Sequence, residues 1–172
     1  MDNIFIINQQ RLIEKWEMFL EQIPKVHNYK EEFKKEIFEY YMNSLSNNKS
    51  FLVAGIKNNE IVSFALFKYF EEEQKTFIMD VRTRGDLLRR GYAYKILNLG
   101  LKYYFKKSEG LPIYLWVDES NKEAKSLYKN LGFYQTGYFP QRLDFIKDKK
   151  NTGIYKCDYG RYLEVNEQFQ KM

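Results

Sequence analysis

Four of the seven arginines in this chain lie within nine residues, at Arg82, Arg84, Arg89 and Arg90. The last two run directly into the segment Gly91 to Ala93, where apolar residues begin to recur at helical spacing. Arginine forms forked hydrogen bonds with phosphate, whereas most of the other basic residues here are lysines. The cluster therefore points first to a site for a polyanionic ligand.

The backbone around this cluster is suited to the same ligand. A predicted strand over about residues 76 to 84 ends in a basic, glycine-bearing turn that opens a predicted helix over about 92 to 106. Such a turn offers backbone N–H groups and the positive end of a helix dipole to a phosphate. Gly91 lets the backbone approach closely and Ala93 keeps the next contact small. Standing alone, the pattern more often marks a helix that begins with exposed arginines.

A second motif lies about thirty residues further along the chain. Ser120 and Glu123 have the spacing of a capping box, and Gly132 is a typical left-handed helix end. Between and after them the chain carries Asn121, Ala124, Leu127, Tyr128 and Phe133.

The two motifs together resemble the GNAT-type N-acetyltransferase family. Its cofactor loop reads Gln/Arg-x-x-Gly-x-Gly/Ala after the fourth strand, and a later helix carries Asn-x-x-Ala-x-x-Leu-Tyr-x-x-x-Gly-Phe. Residues Leu88 to Ala93 and Asn121 to Phe133 fit these patterns, and the predicted order of elements matches from about Phe51 onward. The resemblance implies an α/β fold with a mixed, mostly antiparallel six- to seven-stranded sheet and flanking helices, in one domain over residues 1–172.

The resemblance also implies acetyl-CoA as cofactor and assigns residues to it. Leu88 departs from the family's usual Gln or Arg, so backbone donors and one arginine are expected to hold the pyrophosphate. Arg82 and Arg84 are expected to face either solvent or the ribose phosphate. The residues so assigned are Arg89, Arg90, Gly91, Tyr92 and Ala93 for the pyrophosphate, Val81, Arg82 and Thr83 for the pantetheine arm and the carbonyl oxygen through their backbone, and Asn121 for the pantetheine arm.

The implied reaction moves an acetyl group directly to an amine, which requires an acid and a base. Tyr128 matches the family tyrosine that protonates the departing sulfur, with a place in a tyrosine-rich core as the competing interpretation. Asp80 is the predicted base, because family members often carry a carboxylate near this position. Glu72, Glu73, an ordered water or an amine that arrives neutral remain alternatives.

Composition limits the other mechanisms. The 172 residues are 44% hydrophobic, enough for one globular core. Cys157 is the only cysteine and His27 the only histidine, so neither a disulfide, a metal site nor a catalytic triad is expected. The N-terminal residues do not resemble a signal peptide and no apolar stretch reaches membrane-spanning length, so a cytoplasmic location and no membrane partner are expected.

Charge divides the chain unevenly. Residues 1–80 carry 10 basic and 13 acidic side chains, and residues 81–172 carry 18 and 10. We expect a cationic acceptor, a small-molecule or peptide amine, to enter near Tyr40, Tyr41 and Glu71 to Glu73. Acetylation of an aminoacyl-tRNA held by the basic half is one alternative, and a non-catalytic CoA-binding or interaction domain is another. The aromatic stretch Tyr155 to Phe169 could complete the sheet or contact a second subunit in a homodimer.

The hydrophobic pattern predicts the element order β-αα-βββ-α-β-α-ββ. Two helices come before residue 44, and a polar turn at 57–60 joins two strands of a hairpin. The predicted strands cover residues 3–7, 51–56, 61–69, 76–84, 113–117, 134–139 and 154–163.

Overall fold

A computed structural model describes residues 3–14, 21–22, 26, 31–138 and 152–170. Within these residues the chain has seven strands and five helices, and the strand pairings inside each of its two compact units are antiparallel. The units span residues 1–102 and 103–172. The predicted α/β class and strand number are confirmed, and the organisation as a single domain stays a prediction.

The first unit is built on four antiparallel strands in the order β1-β2-β3-β4. Its elements are β1 (Asn3–Ile7), α1 (Gln9–Glu14), a 3-10 turn (Glu31–Phe33), α2 (Lys34–Ser44), β2 (Phe51–Lys57), β3 (Glu60–Phe70), β4 (Lys75–Thr83), a second 3-10 turn (Gly85–Leu87) and the first part of α3 (Tyr92–Lys107).

The predicted hairpin is confirmed in β2 and β3, with a turn tighter than the polar stretch indicated. Lys57 pairs with Glu60, so only Asn58 and Asn59 form the loop. Both have positive φ, 51° and 60°, which a two-residue type I′ turn requires and asparagine tolerates well. The turn therefore fixes how β2 and β3 begin to pair.

One face of this sheet is covered by α2. Tyr41, which is fully buried, packs edge-on against Phe64 with ring centroids 5.7 Å apart, and Leu12 and Leu66 belong to the same core cluster. Tyr41 is therefore a core residue and cannot line an acceptor entrance, contrary to the expectation from sequence. Tyr40 next to it is exposed.

Gly100 in α3 lies against β2 and β3. A Cβ built on Gly100 would be 2.9 Å from Val53 Cγ2 and 2.6 Å from Phe67 Cε2, closer than real Cβ atoms approach. Because both neighbours are fully buried, the helix can lie at this depth only where a side chain is missing.

The second unit contains three antiparallel strands in the order β5-β7-β6. Its elements are the last part of α3, then β5 (Ile113–Asp118), α4 (Lys122–Lys129), β6 (Tyr134–Tyr138), β7 (Thr152–Cys157) and α5 (Tyr159–Gln170). None of the helices in the described part of the chain is both long and apolar enough to cross a bilayer.

The strand predicted over residues 154–163 is wrong in its second half. β7 ends at Cys157, and from Tyr159 the chain is helical, with the N–H of Tyr162 bonded to the carbonyl of Asp158. Tyr162 is buried against Phe105, with ring centroids 5.3 Å apart, while its neighbours on either side are exposed. The several aromatic residues suggested a strand. The buried Tyr162 is instead followed about one turn later by the half-buried Val165 and Asn166, which is the spacing of an amphipathic helix.

Other predictions fall outside the described residues. These are the environment of His27, most of the first predicted helix after Glu14, the start of the second before residue 31, and residue 139 at the end of β6.

We expect Gly100→Ala to destabilise the protein, because overpacking at a filled site costs about 1–3 kcal/mol. Gly160→Ala is the matched control: Gly160 is also helical, but a Cβ there meets nothing within 4 Å. Alanine gains up to about 1 kcal/mol of helix propensity at either position, so the difference between the variants isolates the contact. Urea unfolding at constant m-value measures both, and equal shifts would contradict the packing argument.

Candidate active site

Strand β4 carries one extra residue opposite β3. Met79 pairs with Leu66 and Arg82 pairs with Phe64, so Asp80 and Val81 together oppose Ala65. Asp80 has a φ of 49°, a left-handed conformation that aspartate adopts more readily than most residues. This arrangement is a β-bulge, and bulges commonly redirect a side chain next to a functional site.

The bulge turns Asp80 toward α2. Met79 packs into the core cluster on the α2 side of the sheet, and strict alternation would place Asp80 on the other face. Instead the Tyr40 hydroxyl on α2 donates a hydrogen bond to the Asp80 carboxylate. Lys68 Nζ lies 5.5 Å from the centroid of the Tyr40 ring, so Asp80, Tyr40 and Lys68 form one cluster.

Burial raises the pKa of Asp80 above its ordinary value. The hydrogen bond from Tyr40 and the charges of Arg82 and Lys68 lower it, but they only partly offset the loss of hydration. Burial also lowers the pKa of Lys68, against the effect of Asp80. A carboxylate with a raised pKa is a better proton acceptor than an ordinary one, which is one requirement of a general base.

The two arginines at the end of β4 differ in their surroundings. The Arg84 guanidinium donates to both carboxylate oxygens of Asp86, at 2.7 and 3.0 Å, and to Glu60 at the start of β3. These contacts raise the pKa of Arg84 and hold its side chain against the protein. Arg82 is exposed. Because it pairs with Phe64 on β3, its side chain lies on the face of the sheet toward which Asp80 turns.

Hydrogen bonds with β3 hold the end of β4, from Arg82 to Arg84, in place. The Ser63 hydroxyl donates to the carbonyl of Arg82 at 2.7 Å and lies 2.8 Å from the hydroxyl of Thr83. The N–H of Arg84 bonds to the carbonyl of Val62 at 2.9 Å. Strand β4 is thus held to β3 immediately after the bulge, and Val81 is half-buried within it.

A small apolar cluster anchors the loop that leads into α3. Val62, Leu87 and Tyr92 are buried together, so the loop is held near both its ends. Between Leu87 and Tyr92 the loop exposes Leu88, Arg89 and Arg90; Leu88 is 57% exposed.

The start of α3 has the backbone geometry of an anion site. Arg89 and Gly91 have φ values of 60° and 75°, and the N–H of Lys95 makes the first helical bond, to the carbonyl of Gly91, at 3.1 Å. The N–H groups of Tyr92 and Ala93 therefore point out of the N-terminus of a 16-residue helix. A Cβ on Gly91 would meet nothing within 4 Å, so the space beside it is open. These donors fit a pyrophosphate.

In the second unit, Asn121 caps α4. Its side-chain oxygen accepts from the N–H of Ala124 at 3.0 Å. The Ser120 hydroxyl donates to Asp118 instead, at 2.6 Å, so the predicted capping box is wrong and the cap lies one residue later. The Asn121 oxygen is engaged in this cap, so only the NH2 of its side chain could donate to a ligand.

Tyr128 in α4 is 8% exposed. Its ring meets Phe133 edge-on at 6.0 Å, and its carbonyl accepts from the N–H groups of Leu131 and Phe133. The residues of the second motif thus form α4 and the turn that ends it.

Cys157 is buried, with its sulfur 3.6 Å from the carbonyl oxygen of Leu131. Burial raises the pKa of the Cys157 thiol to about 12, so the thiol stays protonated and is a poor acyl acceptor.

A known family matches most of the chain. The model of the Acetyltransferase (GNAT) family matches residues 12–133, a range that includes the bulge, the loop into α3 and α4. The chain belongs to the GNAT acetyltransferase family. The resemblance of its two motifs is confirmed, and the protein is an acetyl-CoA-dependent N-acetyltransferase.

Solved structures of other acetyltransferases share the fold. The ribosomal-protein-S18-alanine N-acetyltransferase from Escherichia coli is 15% identical, with a TM-score of 0.64 over 92% of this chain and 94% of that one. A variant of spermidine N-acetyltransferase from Vibrio cholerae is 16% identical, with a TM-score of 0.66 over 95% and 99%. Aminoglycoside 6'-acetyltransferase type Ii is also 16% identical, with a TM-score of 0.66 over 91% and 96%. A search of curated proteins gives no significant match.

The structure adds two residues that sequence reasoning missed. It brings Asp80 together with Lys68, which no motif includes, and with Tyr40, which was expected only near an entrance. This cluster forms because a bulge redirects Asp80 and because α2, an earlier part of the chain, supplies Tyr40. Helix periodicity and strand alternation in the sequence therefore give no signal for it. The one available clue was an aspartate within the apolar strand 77–81, a position where aspartate is disfavoured.

We expect Tyr40→Phe to raise the pKa of Asp80 in this acetyltransferase further, because the hydrogen bond that favours the charged carboxylate is lost. An NMR titration of the Asp80 carboxyl carbon measures the change. Tyr69→Phe is the control, since the Tyr69 hydroxyl donates to Gln74 instead. An unchanged or lower pKa in Tyr40→Phe would contradict the assigned hydrogen bond.

Proposed function

We propose that this acetyltransferase acetylates a primary amine, with Asp80 as the general base. The observation that carries the proposal is the half-buried Asp80 carboxylate, which the bulge turns toward Tyr40 and Lys68 and whose pKa burial raises. A primary amine is protonated near neutral pH and must lose a proton before it can attack a carbonyl. Asp80 accepts that proton, and water then carries it away.

The cofactor is held by the residues that the family resemblance assigns. Arg89 or Arg90 adds positive charge to the backbone donors of Gly91, Tyr92 and Ala93, and Leu88 adds none, so the phosphates depend mainly on the helix N-terminus. Bound acetyl-CoA supplies the acetyl group as a thioester. Val81 to Thr83 offer backbone groups of a strand that Ser63 fixes in place, and the amide group of Asn121 remains available to the pantetheine arm.

Tyr128 is the proposed acid. A phenol can give its proton to a departing thiolate, and the residue stands at the tyrosine position of the family motif. Its buried ring and the edge contact with Phe133 fix the orientation of the side chain.

The names of acetyltransferases with similar structures support an amine as the acceptor. The three acetyltransferases with similar structures are named for an alanine of a ribosomal protein, for spermidine and for an aminoglycoside. All three offer amines, which supports an amine acceptor for this chain, either a small molecule or a peptide. Acetylation of aminoacyl-tRNA is the alternative, which inclusion of an aminoacyl-tRNA among the tested acceptors distinguishes.

Thiol release from acetyl-CoA, followed over a panel of amines with mass detection of the product, tests the proposal. We expect Asp80→Asn to lower kcat/KM at neutral pH by about a hundredfold or more, because the amide cannot accept the proton. In the wild type, kcat/KM should fall at low pH as Asp80 becomes protonated, and the raised pKa places this fall above the range of an ordinary aspartate. Glu164→Gln, which changes an exposed carboxylate on α5, is the control variant. If Asp80→Asn kept wild-type activity, one of the other proposed bases would act instead.

For the acid, we expect Tyr128→Phe to lower kcat by about a hundredfold with little change in the affinity for CoA, because only the hydroxyl is removed. Tyr134→Phe removes a hydroxyl that donates to Asp158 and serves as the control. Tight CoA binding by the wild type with no turnover of any amine in the panel would contradict the proposed transfer to a primary amine.

A further inference from the structure

Two cations beside Asp80 have no ion pair in the described part of the chain. Arg82 and Lys68 both act on the charge of Asp80. The carboxylates Glu60 and Asp86 are bound by Arg84. Lys68 lies over two aromatic rings instead, 5.5 Å from the centroid of Tyr40 and 5.2 Å from that of Phe70.

The strand register places both cations on the side of the sheet to which Asp80 turns. Arg82 is the ladder partner of Phe64, whose ring packs under α2 against Tyr41. Lys68 is four residues after Phe64 on β3, so alternation returns it to the same face. The Tyr40 ring contacts Lys68 while its hydroxyl bonds to Asp80.

The local charge therefore differs from the average of residues 1–80. One carboxylate faces two cations, which gives the cluster a net positive charge even when Asp80 is ionised. A second ammonium on the acceptor would be repelled here, whereas an anionic group would find an exposed guanidinium and a half-buried ammonium. The expectation of a cationic acceptor rested on charges spread along the sequence, most of which lie outside this cluster.

We propose that the acceptor is an amine that also carries an anionic group, a carboxylate or a phosphate-like group, and that Arg82 and Lys68 bind this group beside Asp80. The inference rests on the proposed function, because it names the acceptor of that site. Arg82 and Lys68 act here as specificity-determining residues.

The experiment compares four amines of similar length: γ-aminobutyrate, aminopropylphosphonate, butylamine and putrescine. Acetylation by the full chain is followed as kcat/KM, and calorimetry measures binding of each amine to the CoA-saturated protein. The variants are Arg82→Gln and Lys68→Gln, with Lys75→Gln as the control at the far end of β4. Comparison of γ-aminobutyrate with aminopropylphosphonate shows whether the site prefers a carboxylate or a phosphate-like group.

We expect kcat/KM for one of the two anionic amines to exceed that for butylamine by about tenfold or more, and putrescine to be the poorest acceptor. Arg82→Gln and Lys68→Gln should abolish this preference, while Lys75→Gln keeps it. If Arg82 and Lys68 only offset the charge of Asp80, their replacement by Gln should change kcat/KM for all four amines by the same factor. That result would overturn the inference.

The two proposals fail in different ways. Acetylation of putrescine or butylamine at least as fast as that of both anionic amines would overturn the anionic acceptor and leave the acetyl transfer intact. Binding of an anionic amine that depends on Arg82, with no acetylation of any amine, would support the anion site and overturn the proposed function. Absence of binding and acetylation for all four amines would overturn the anionic acceptor, while the wider panel of amines described above decides the proposed function.

Discussion

The extra residue in β4 is the constraint on which the candidate site depends. A regular strand would send Asp80 to the face opposite Met79, and Tyr40 could not bond to it. The left-handed conformation of Asp80 carries a modest steric cost, which the surrounding contacts offset: Ser63 holds the strand after the bulge, and Tyr40 holds the carboxylate. The same shift in register places Arg82 on the side of Asp80. One backbone irregularity thus determines the direction of both the carboxylate and its neighbouring cation.

The arginine cluster separates into groups with different physical roles. Arg84 is held by Asp86 and Glu60 and braces the loop, whereas Arg82 projects beside Asp80. Arg89 supplies a left-handed backbone turn as well as a charge, and Arg90 is exposed in front of α3. A run of one residue type in the sequence therefore does not imply one binding surface, because each side chain follows the local direction of its backbone.

Much of the fold could be predicted from short-range patterns, and the errors occur where long-range contacts decide. The hairpin at Asn58 and the helix that begins at Tyr92 follow from periodicity and turn residues, which act over a few positions. The helical segment after Cys157 could not be distinguished from a strand, because only the packing of Tyr162 on Phe105 selects its buried positions. The second motif pointed to Tyr128, and the family's frequent carboxylate near this position pointed to Asp80. Lys68 and Tyr40 join Asp80 only through tertiary structure.

The contact between Glu60 and Arg84 links two parts of the chain that perform different tasks. Glu60 is the first residue after the Asn58–Asn59 turn, and Arg84 is the first residue after β4. The ion pair closes the end of the hairpin onto the start of the loop that precedes α3. Because these charged groups are partly exposed, dissolved ions weaken their attraction as ionic strength rises. The same salt that weakens this ion pair also screens the exposed arginines of the loop. In the cofactor site proposed above, salt would therefore weaken phosphate binding both by screening the charges and by loosening the contact that holds the loop.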